Sequence, residues 1–233
     1  MKLPYTQNGY YLLQNAVKKA EVKTLLKELY IFSDEINNYG IRNLMEKVPY
    51  IHKFAHSSPL LPLAKEILGE QAKPIRSVLF DKVPGANWNV AWHQDTSIVV
   101  EEKIEMPGFI KWRKKQGVPH VEPPEEYLSS ILTLRVHLDI TDETNGALRV
   151  VSGSHRNGRV QSAKLLEIVE SSEIISCNAN PGDILIMNPL LFHSSRKSIK
   201  PNHRRIIHLE YSAMNLPKPL KWYESYRNSA NHI

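Results

Sequence analysis

The 233-residue chain has 42% hydrophobic and 23% charged residues, which is ordinary for a globular protein, and its length suits one domain over residues 1–233. Its net charge of +6 comes from basic residues spread along the chain, which argues against nucleic-acid binding. The single cysteine, Cys177, excludes an internal disulfide, and no apolar run is long enough to predict a membrane span or a signal peptide. We therefore expect a cytoplasmic protein that binds neither nucleic acid nor membrane.

Residues 1–72 are predicted to be mainly helical and to support the rest of the domain. From Asn15 to about Tyr39, apolar residues recur at three- and four-residue steps, which is the period of an amphipathic helix. A further helix is expected from Pro59 to Leu68, with Gly69 as its left-handed cap. These helices are expected to pack on a larger element.

Residues 73–215 are predicted to form a β-sheet core. Alternating and β-branched residues predict one strand over 75–83, and after a turn the chain is expected to re-enter the sheet over 88–95. The next stretch, 96–126, is rich in proline and glycine and has no clear period, which is typical of a functional lid or a mobile loop. Its position directly after the strand 88–95 favours a lid.

The segment 130–139 alternates between apolar residues on one face and polar residues on the other. If the apolar face meets the helices, Arg135 points into the barrel, where a guanidinium is costly unless it meets an anion. The alternative is that Arg135 lies on the solvated face of an edge strand, and this segment alone does not decide between the two. Asn145-Gly146 then predicts a tight hairpin turn into a returning strand over 147–151.

The remaining core elements are a helix near 162–169 and two strands over 184–187 and 205–211. Pro181-Gly182-Asp183 provides the turn before the first of these strands. Helices therefore come first in the chain, and strands separated by turn residues follow. This order predicts an α+β fold with a double-sheet barrel.

Trp92-His93-Gln94-Asp95 presents an imidazole and a carboxylate two residues apart, which on a strand would point to the same face. His-x-Asp alone is a weak signal, because surface loops and capped helices often carry it. His193 adds a second imidazole far downstream, and His-x-Asp followed by a distant His is the facial triad of non-haem iron(II) oxygenases. The order and spacing predict a metal site formed by His93, Asp95 and His193.

Arg204 lies eleven residues after His193 and is a candidate cofactor-binding residue. Its planar guanidinium suits a carboxylate co-substrate, because it can donate two parallel hydrogen bonds. The alternative is a solvated basic turn, since His203 and Arg205 are its neighbours in the chain.

Four motifs occur in a fixed order: Trp92-His93-Gln94-Asp95, the run from Asn145 to His155, Pro181-Gly182-Asp183, and His193 with Arg204. With this set, the sequence resembles the phytanoyl-CoA dioxygenase family of Fe(II)/2-oxoglutarate-dependent oxygenases over roughly residues 76–212. The resemblance implies a double-stranded β-helix, which is a cupin-like jelly roll, with flanking N-terminal helices.

The resemblance also implies roles for individual residues. His93, Asp95 and His193 would bind iron(II), and Arg204 would pair with the distal carboxylate of 2-oxoglutarate. Ser195 matches a family position whose hydroxyl assists that carboxylate, and Lys82 resembles a family lysine near the cofactor. Family members often have an aromatic or small residue where Arg135 stands, so the partner of Arg135 is either 2-oxoglutarate or the substrate.

The expected reaction uses iron(II), 2-oxoglutarate and O2, releases succinate and CO2, and hydroxylates a C–H bond of a small molecule. Asp95 favours hydroxylation, because related halogenases lack this carboxylate so that chloride can bind. The surplus of inward-facing basic residues suggests a carboxylate or an amino-acid derivative as the substrate. One alternative is a cupin-like metal-dependent hydrolase or isomerase without 2-oxoglutarate, and another is a sensor without turnover. Arg204 favours the oxygenase, because metal-only chemistry has no need of it.

Overall fold

The computed structural model describes residues 2–32, 40–199 and 202–224. The helices are α1 (Lys2–Asn8), α2 (Lys19–Leu29), α3 (Leu44–Lys47), α4 (Pro49–Ala55), α5 (Leu60–Leu68), α6 (Glu125–Ser129) and α7 (Ser162–Glu170), with 3-10 turns at Tyr30–Phe32 and Ser154–Asn157. None of the helices in these three ranges combines the length and the apolar character that crossing a bilayer requires.

Thirteen strands are described: β1 (Tyr10–Leu13), β2 (Ile41–Arg42), β3 (Lys73–Phe80), β4 (Val90–His93), β5 (Ile98–Val99), β6 (Ile110–Lys115), β7 (Val118–Glu122), β8 (Ile131–His137), β9 (Leu148–Val150), β10 (Ile175–Cys177), β11 (Ile184–Met187), β12 (His193–Ser195) and β13 (Ile206–Ser212). Ten of them form a large antiparallel sheet in the order β1-β11-β8-β13-β3-β2 and a small antiparallel sheet in the order β10-β9-β12-β4. The predicted mixed fold with a double-sheet jelly roll is confirmed.

The two faces of the large sheet have different partners. Leu132, Leu134 and Val136 on β8 are fully buried in one apolar cluster with α2, α3, α4 and α5. From the opposite face, Leu185 and Met187 on β11 pack in a second cluster with β9 and β10 of the small sheet. The apolar face of β8 thus meets the helices and the polar face that carries Arg135 looks into the barrel, which is one of the two alternatives that the sequence left open.

The first predicted helix is shorter than its apolar period indicated. Asn15 has a positive φ of 52° and its backbone N–H donates to Asp183, so the chain turns here and α2 begins only at Lys19. The 3-10 turn Tyr30–Phe32 follows α2, and the remaining predicted part, 33–39, lies outside the described residues. Gly69 closes α5 as predicted, but its φ and ψ of 105° and 168° are not those of a left-handed cap.

Asn145-Gly146 does not close a hairpin, so this prediction is wrong. The chain enters the turn from β8 in the large sheet and leaves it as β9, which pairs with β10 and β12 in the small sheet. Gly146 has the positive φ of 84° that a tight turn requires. The turn residues were therefore recognised from the sequence, whereas the partners of the following strand were not.

The segment 96–126 has regular structure, which its sequence did not indicate. It contains β5, β6 and β7, which form a three-stranded antiparallel sheet in the order β5-β7-β6. Ile98 and Val121 are fully buried in a cluster that includes Phe109 and Trp222. Trp222 belongs to the end of the described chain, so the partner that holds this small sheet cannot be found from the local sequence period.

Candidate active site

His93 and His193 are brought side by side by the pairing of β4 with β12. The two residues are directly opposite in the ladder, and their ring centroids are 4.1 Å apart. Each imidazole donates its Nδ1–H to the carbonyl two residues earlier: His93 to Ala91 at 2.9 Å and His193 to Leu191 at 2.8 Å. These bonds select the tautomer in which both Nε2 atoms keep a free lone pair for a metal.

Asp95 completes the group, but it does not lie on the strand as predicted. Strand β4 ends at His93, and the backbone N–H of Asp95 donates to Pro189 instead. One carboxylate oxygen lies 3.7 Å from His93 Nε2 and the other lies 3.6 Å from His193 Nε2. One ligand atom from each of the three residues lies within 4.8 Å of the other two, which is a suitable arrangement for a single ion.

Gln94 explains why Asp95 can leave the strand and still face the histidines. Its side-chain amide donates to the carbonyls of Gly158 and Leu190, both at 2.7 Å, and its oxygen accepts from the backbone N–H of Val160 at 3.0 Å. Gln94 therefore anchors the turn between the two ligands. Gln94 was given no role from the sequence, because its partners are distant in the chain.

The protonation states of Asp95 and His193 suit iron(II); burial would lower the pKa of His93, but Asp95 outweighs it and raises that pKa. Burial would raise the pKa of Asp95, but His193 and His93 outweigh it and hold that pKa well below its usual range. Burial, followed by the neighbouring His93, lowers the pKa of His193 to about 3. A carboxylate and a neutral imidazole are thus favoured at neutral pH, and two imidazoles with one carboxylate are the ligands of a non-haem iron(II) site.

Beside the triad lies a buried group of polar side chains that we call the inner anion pocket: Lys82, Arg135, Ser195 and Arg204. Lys82 Nζ donates to Ser195 Oγ at 2.8 Å and also to the carbonyl of Arg196. Ser195 Oγ donates in turn to the carbonyl of Gly146 at 2.8 Å, and Arg204 Nη1 donates to the same carbonyl at 2.5 Å. The structure thus brings all four predicted cofactor-binding residues together.

The inner anion pocket concentrates positive charge away from water. Burial, followed by the neighbouring cations, lowers the pKa of Lys82 to about 7 and that of Arg204 to about 9, and burial lowers the pKa of Arg135 to about 10. The Nε atoms of both arginines have no hydrogen-bond partner among the described residues. Buried cations that repel one another are costly without a counter-charge, so this group is suited to an anion.

Arg135 is also joined to a polar chain that was not predicted from the sequence. Its guanidinium lies 3.1 Å from Nδ1 of His208 and stacks over Phe80 at 5.7 Å. The other ring nitrogen of His208 lies 3.1 Å from Glu210, and Glu210 accepts a hydrogen bond from Arg76 at 2.8 Å. Arg135 is only 6% exposed, which excludes the solvated edge-strand alternative. The alternation of β13 places His208 and Glu210 on one face and could have indicated this chain.

The triad and the inner anion pocket line one cavity of about 320 Å³. Four further cations line the same cavity: Arg42 on β2, Arg76 on β3, and Arg113 and Lys115 on β6. Asp95 provides the one carboxylate among the described lining residues. The predicted lid segment thus contributes to the cavity through two side chains of β6.

A sequence profile of the phytanoyl-CoA dioxygenase family matches residues 5–206 of the chain. The chain belongs to this family. Among curated relatives, the dioxygenase lolE1 of Epichloe uncinata is 27% identical over 203 residues, covering 81% of this chain and 72% of the relative. The ectoine dioxygenase of Bordetella bronchiseptica is 22% identical over 256 residues, covering 94% and 76%.

A solved structure of EctD from S. alaskensis with 2-oxoglutarate and 5-hydroxyectoine has the same fold. Its TM-score is 0.74 at 21% identity, and the match covers 96% of this chain and 81% of that one. Its family membership and its triad identify the protein as a non-haem iron(II)- and 2-oxoglutarate-dependent dioxygenase. The two alternatives, a metal-only hydrolase or isomerase and a sensor, find no support in these likenesses.

Gly146 lies at the site, which its turn motif alone did not indicate. Its replacement by alanine gives a first testable prediction. A Cβ atom at Gly146 would lie 2.5 Å from the carbonyl oxygen of Arg196 and 2.8 Å from Lys82 Nζ. We expect Gly146→Ala to lower the free energy of unfolding by about 2–4 kcal/mol, from positive-φ strain together with this overlap. It should also weaken 2-oxoglutarate binding.

Gly117→Ala is the matched control, because Gly117 has nearly the same φ, 82°, and a Cβ atom at this position would have nothing within 4 Å of it. Gly117→Ala should lower the free energy of unfolding by the strain alone, about 1 kcal/mol, and leave 2-oxoglutarate binding unchanged. Denaturant unfolding measures the free energy of unfolding, and calorimetric titration measures the affinity for 2-oxoglutarate. Equal losses of stability in the two variants would contradict the assigned packing at Gly146.

Proposed function

We propose that this dioxygenase hydroxylates a C–H bond of a small molecule that is a carboxylate or an amino-acid derivative, with release of succinate and CO2. The observation that carries the proposal is the position of the His93, Asp95 and His193 triad beside a buried cationic pocket in one cavity. A hydrolase has no need of these cations, whereas a dicarboxylate co-substrate does. The excess of cations over carboxylates along the cavity suits an acidic substrate as well.

The triad is the proposed iron site. The Nε2 atoms of His93 and His193 and the carboxylate of Asp95 would hold the metal, and this donor set fits iron(II). Iron(II), when bound, supplies the O2 activation that couples decarboxylation of 2-oxoglutarate to oxidation of the substrate. The carbonyls of Ala91 and Leu191 orient the two imidazoles, and the turn anchored by Gln94 orients the carboxylate.

The inner anion pocket is the proposed site for the distal carboxylate of 2-oxoglutarate. Arg204 would donate the main charge-assisted hydrogen bonds, and its Nε is free of other partners among the described residues. Lys82 would add a second charge, and Ser195 would add a hydroxyl donor by redirecting the hydrogen bond that it makes to the carbonyl of Gly146. Arg135 would supply a further guanidinium, fixed by His208, on the side of the pocket towards the triad.

A substrate screen tests the proposal. The Fe(II)-loaded protein is incubated with 2-oxoglutarate, O2 and a panel of amino acids, N-acyl amino acids, carboxylic acids and matched neutral amides. We expect at least one acid to raise succinate formation above the substrate-free rate and to gain one oxygen atom by mass spectrometry. Stimulation by the neutral amides alone would overturn the acidic substrate, and stimulation without oxygen incorporation would overturn hydroxylation.

Lys82 makes the affinity for 2-oxoglutarate depend on pH. Its pKa is lowered to about 7 by burial and by Arg204 and Arg135, so Lys82 becomes neutral above this pH in the free protein. A bound carboxylate favours the ammonium form, so binding takes up a proton above pH 7 and the affinity should fall with rising pH, by up to about tenfold per unit. Titrations between pH 6 and 9 measure the slope. Lys82→Met should flatten it, and an equal slope in that variant would contradict the role of Lys82.

A further inference from the structure

A second group of cations lines the cavity away from the inner anion pocket. It consists of Arg42, Arg76, Arg113 and Lys115, which we call the outer cationic group. Arg76 and Lys82 both line the cavity and are six residues apart on β3 and its extension, which corresponds to as much as about 20 Å of extended chain. The two cationic groups therefore lie at different positions along the cavity.

The members of the outer cationic group come from three different strands and act on one another. Burial, followed by Arg42, Arg76 and Arg113, lowers the pKa of Lys115. Burial, followed by Arg76, lowers the pKa of Arg42. Side chains that the fold brings together in this way repel one another, and an anion bound among them would relieve that repulsion.

Only part of this charge is balanced within the described chain. Arg76 pairs with Glu210 at 2.8 Å, and Arg113 pairs with Glu122 at 2.8 Å. Glu122 is itself shared with Lys111. Arg42 is half-buried and Lys115 is exposed, and no described carboxylate lies within ion-pair distance of either side chain, so both are available to a ligand.

The triad lines the same cavity as both cationic groups. Asp95 interacts electrostatically with Arg135 on the inner side and with Lys115 on the outer side. With its distal carboxylate in the inner anion pocket and its other end at the iron site, as proposed above, 2-oxoglutarate has no charged end left for the outer cationic group. A ligand of the outer cationic group is therefore a different molecule from the co-substrate, and its remaining part would extend towards the triad.

We propose that the outer cationic group binds a doubly charged oxyanion group of the substrate, at a distance from 2-oxoglutarate. This inference rests on the proposed function and deepens it, because it assigns the acidic end of the substrate to Arg42, Arg76, Arg113 and Lys115. A phosphate ester and a dicarboxylate share the required chemistry. The arginine forks suit the several oxygens of either group.

Two anion titrations with a matched control test this inference. The Fe(II)-loaded protein is saturated anaerobically with 2-oxoglutarate and then titrated calorimetrically with inorganic phosphate or with malonate. We expect one of the two anions to bind while 2-oxoglutarate stays bound, and the tighter one identifies the oxyanion as phosphate-like or dicarboxylate-like. Arg42→Gln and Lys115→Gln should each weaken that binding by about tenfold or more, and both should leave the affinity for 2-oxoglutarate unchanged.

Lys103→Gln is the control, because Lys103 lies on the same inserted segment but pairs with Glu105 in an exposed position. It should bind the anion as tightly as the unmodified protein. The inference is overturned if neither anion binds, if the anion displaces 2-oxoglutarate, or if Arg42→Gln and Lys115→Gln bind as tightly as the control. Failure of the proposed function has a different signature, since 2-oxoglutarate itself would then not bind to the iron-loaded protein.

Discussion

Replacing Asp95 by alanine is expected to abolish hydroxylation and to weaken iron(II) binding by at least about 100-fold, because even losses in the shell around metal ligands cost 10–100-fold. Asp95 supplies the only negative charge of the triad and lies 3.6–3.7 Å from both imidazoles. Without Asp95, only two neutral imidazoles would hold the metal ion. The cations that line the cavity would then repel the ion with no negative charge to offset them, which weakens binding beyond the loss of one ligand bond. Iron affinity is measured by competition with a chromophoric chelator, and activity by succinate formation.

Two further variants sharpen this test. Asp95→Asn keeps the shape of the side chain and removes its charge, so it should also lose most of the iron affinity. Asp139→Ala removes a carboxylate that pairs with Arg205 and does not line the cavity, so it should bind iron as the unmodified protein does. Full hydroxylation by Asp95→Ala would contradict the assignment of the triad.

The second large effect is expected at Arg204. Arg204→Met should weaken 2-oxoglutarate binding by at least about 30-fold, because losing one partner of a buried charged pair costs 2 kcal/mol or more. The same change should leave the free energy of unfolding of the ligand-free protein unchanged or raise it by about 1 kcal/mol, since it removes a buried cation that repels Arg135 and Lys82. Affinity and stability thus move in opposite directions, which general damage to the fold would not produce.

Arg205→Met is the matched control for this prediction. Arg205 is the next residue, but its guanidinium makes two hydrogen bonds of 2.8 Å with Asp139 and does not line the cavity. We expect the affinity of Arg205→Met for 2-oxoglutarate to be unchanged and its stability to fall modestly. Unchanged 2-oxoglutarate binding in Arg204→Met would instead assign the carboxylate to Arg135.

The features that could be predicted from the sequence are those set by local periodicity or by motif order. The alternation of β8 indicated correctly that Leu132 and Leu134 share one face and that Arg135 lies on the other, although it left open which face meets the helices. The order of His93, Asp95, His193 and Arg204 predicted residues that the fold brings to one cavity. Such features need no knowledge of strand partners, because side-chain direction along a strand and turn chemistry depend on neighbouring residues.

The features that could not be predicted depend on distant partners. The turn at Gly146 was visible, but the small sheet that receives β9 is formed by β10 and β12, which come later in the chain. The sheet of 96–126 is stabilised by Trp222, about one hundred residues downstream. Asp95 faces the histidines because Gln94 bonds to Gly158 and Leu190, and none of these contacts leaves a local pattern.

The central claim is that the triad and the inner anion pocket together bind iron(II) and 2-oxoglutarate, and one anaerobic titration tests it most directly. The Fe(II)-loaded protein is titrated with 2-oxoglutarate while the weak visible metal-to-ligand charge-transfer band of the chelate is recorded. We predict that the band appears and saturates in the unmodified protein, is absent in His193→Ala, and persists in His56→Ala, whose side chain is exposed. A protein that binds iron but never develops the band would contradict the claim and restore the metal-only hydrolase or isomerase as the leading explanation.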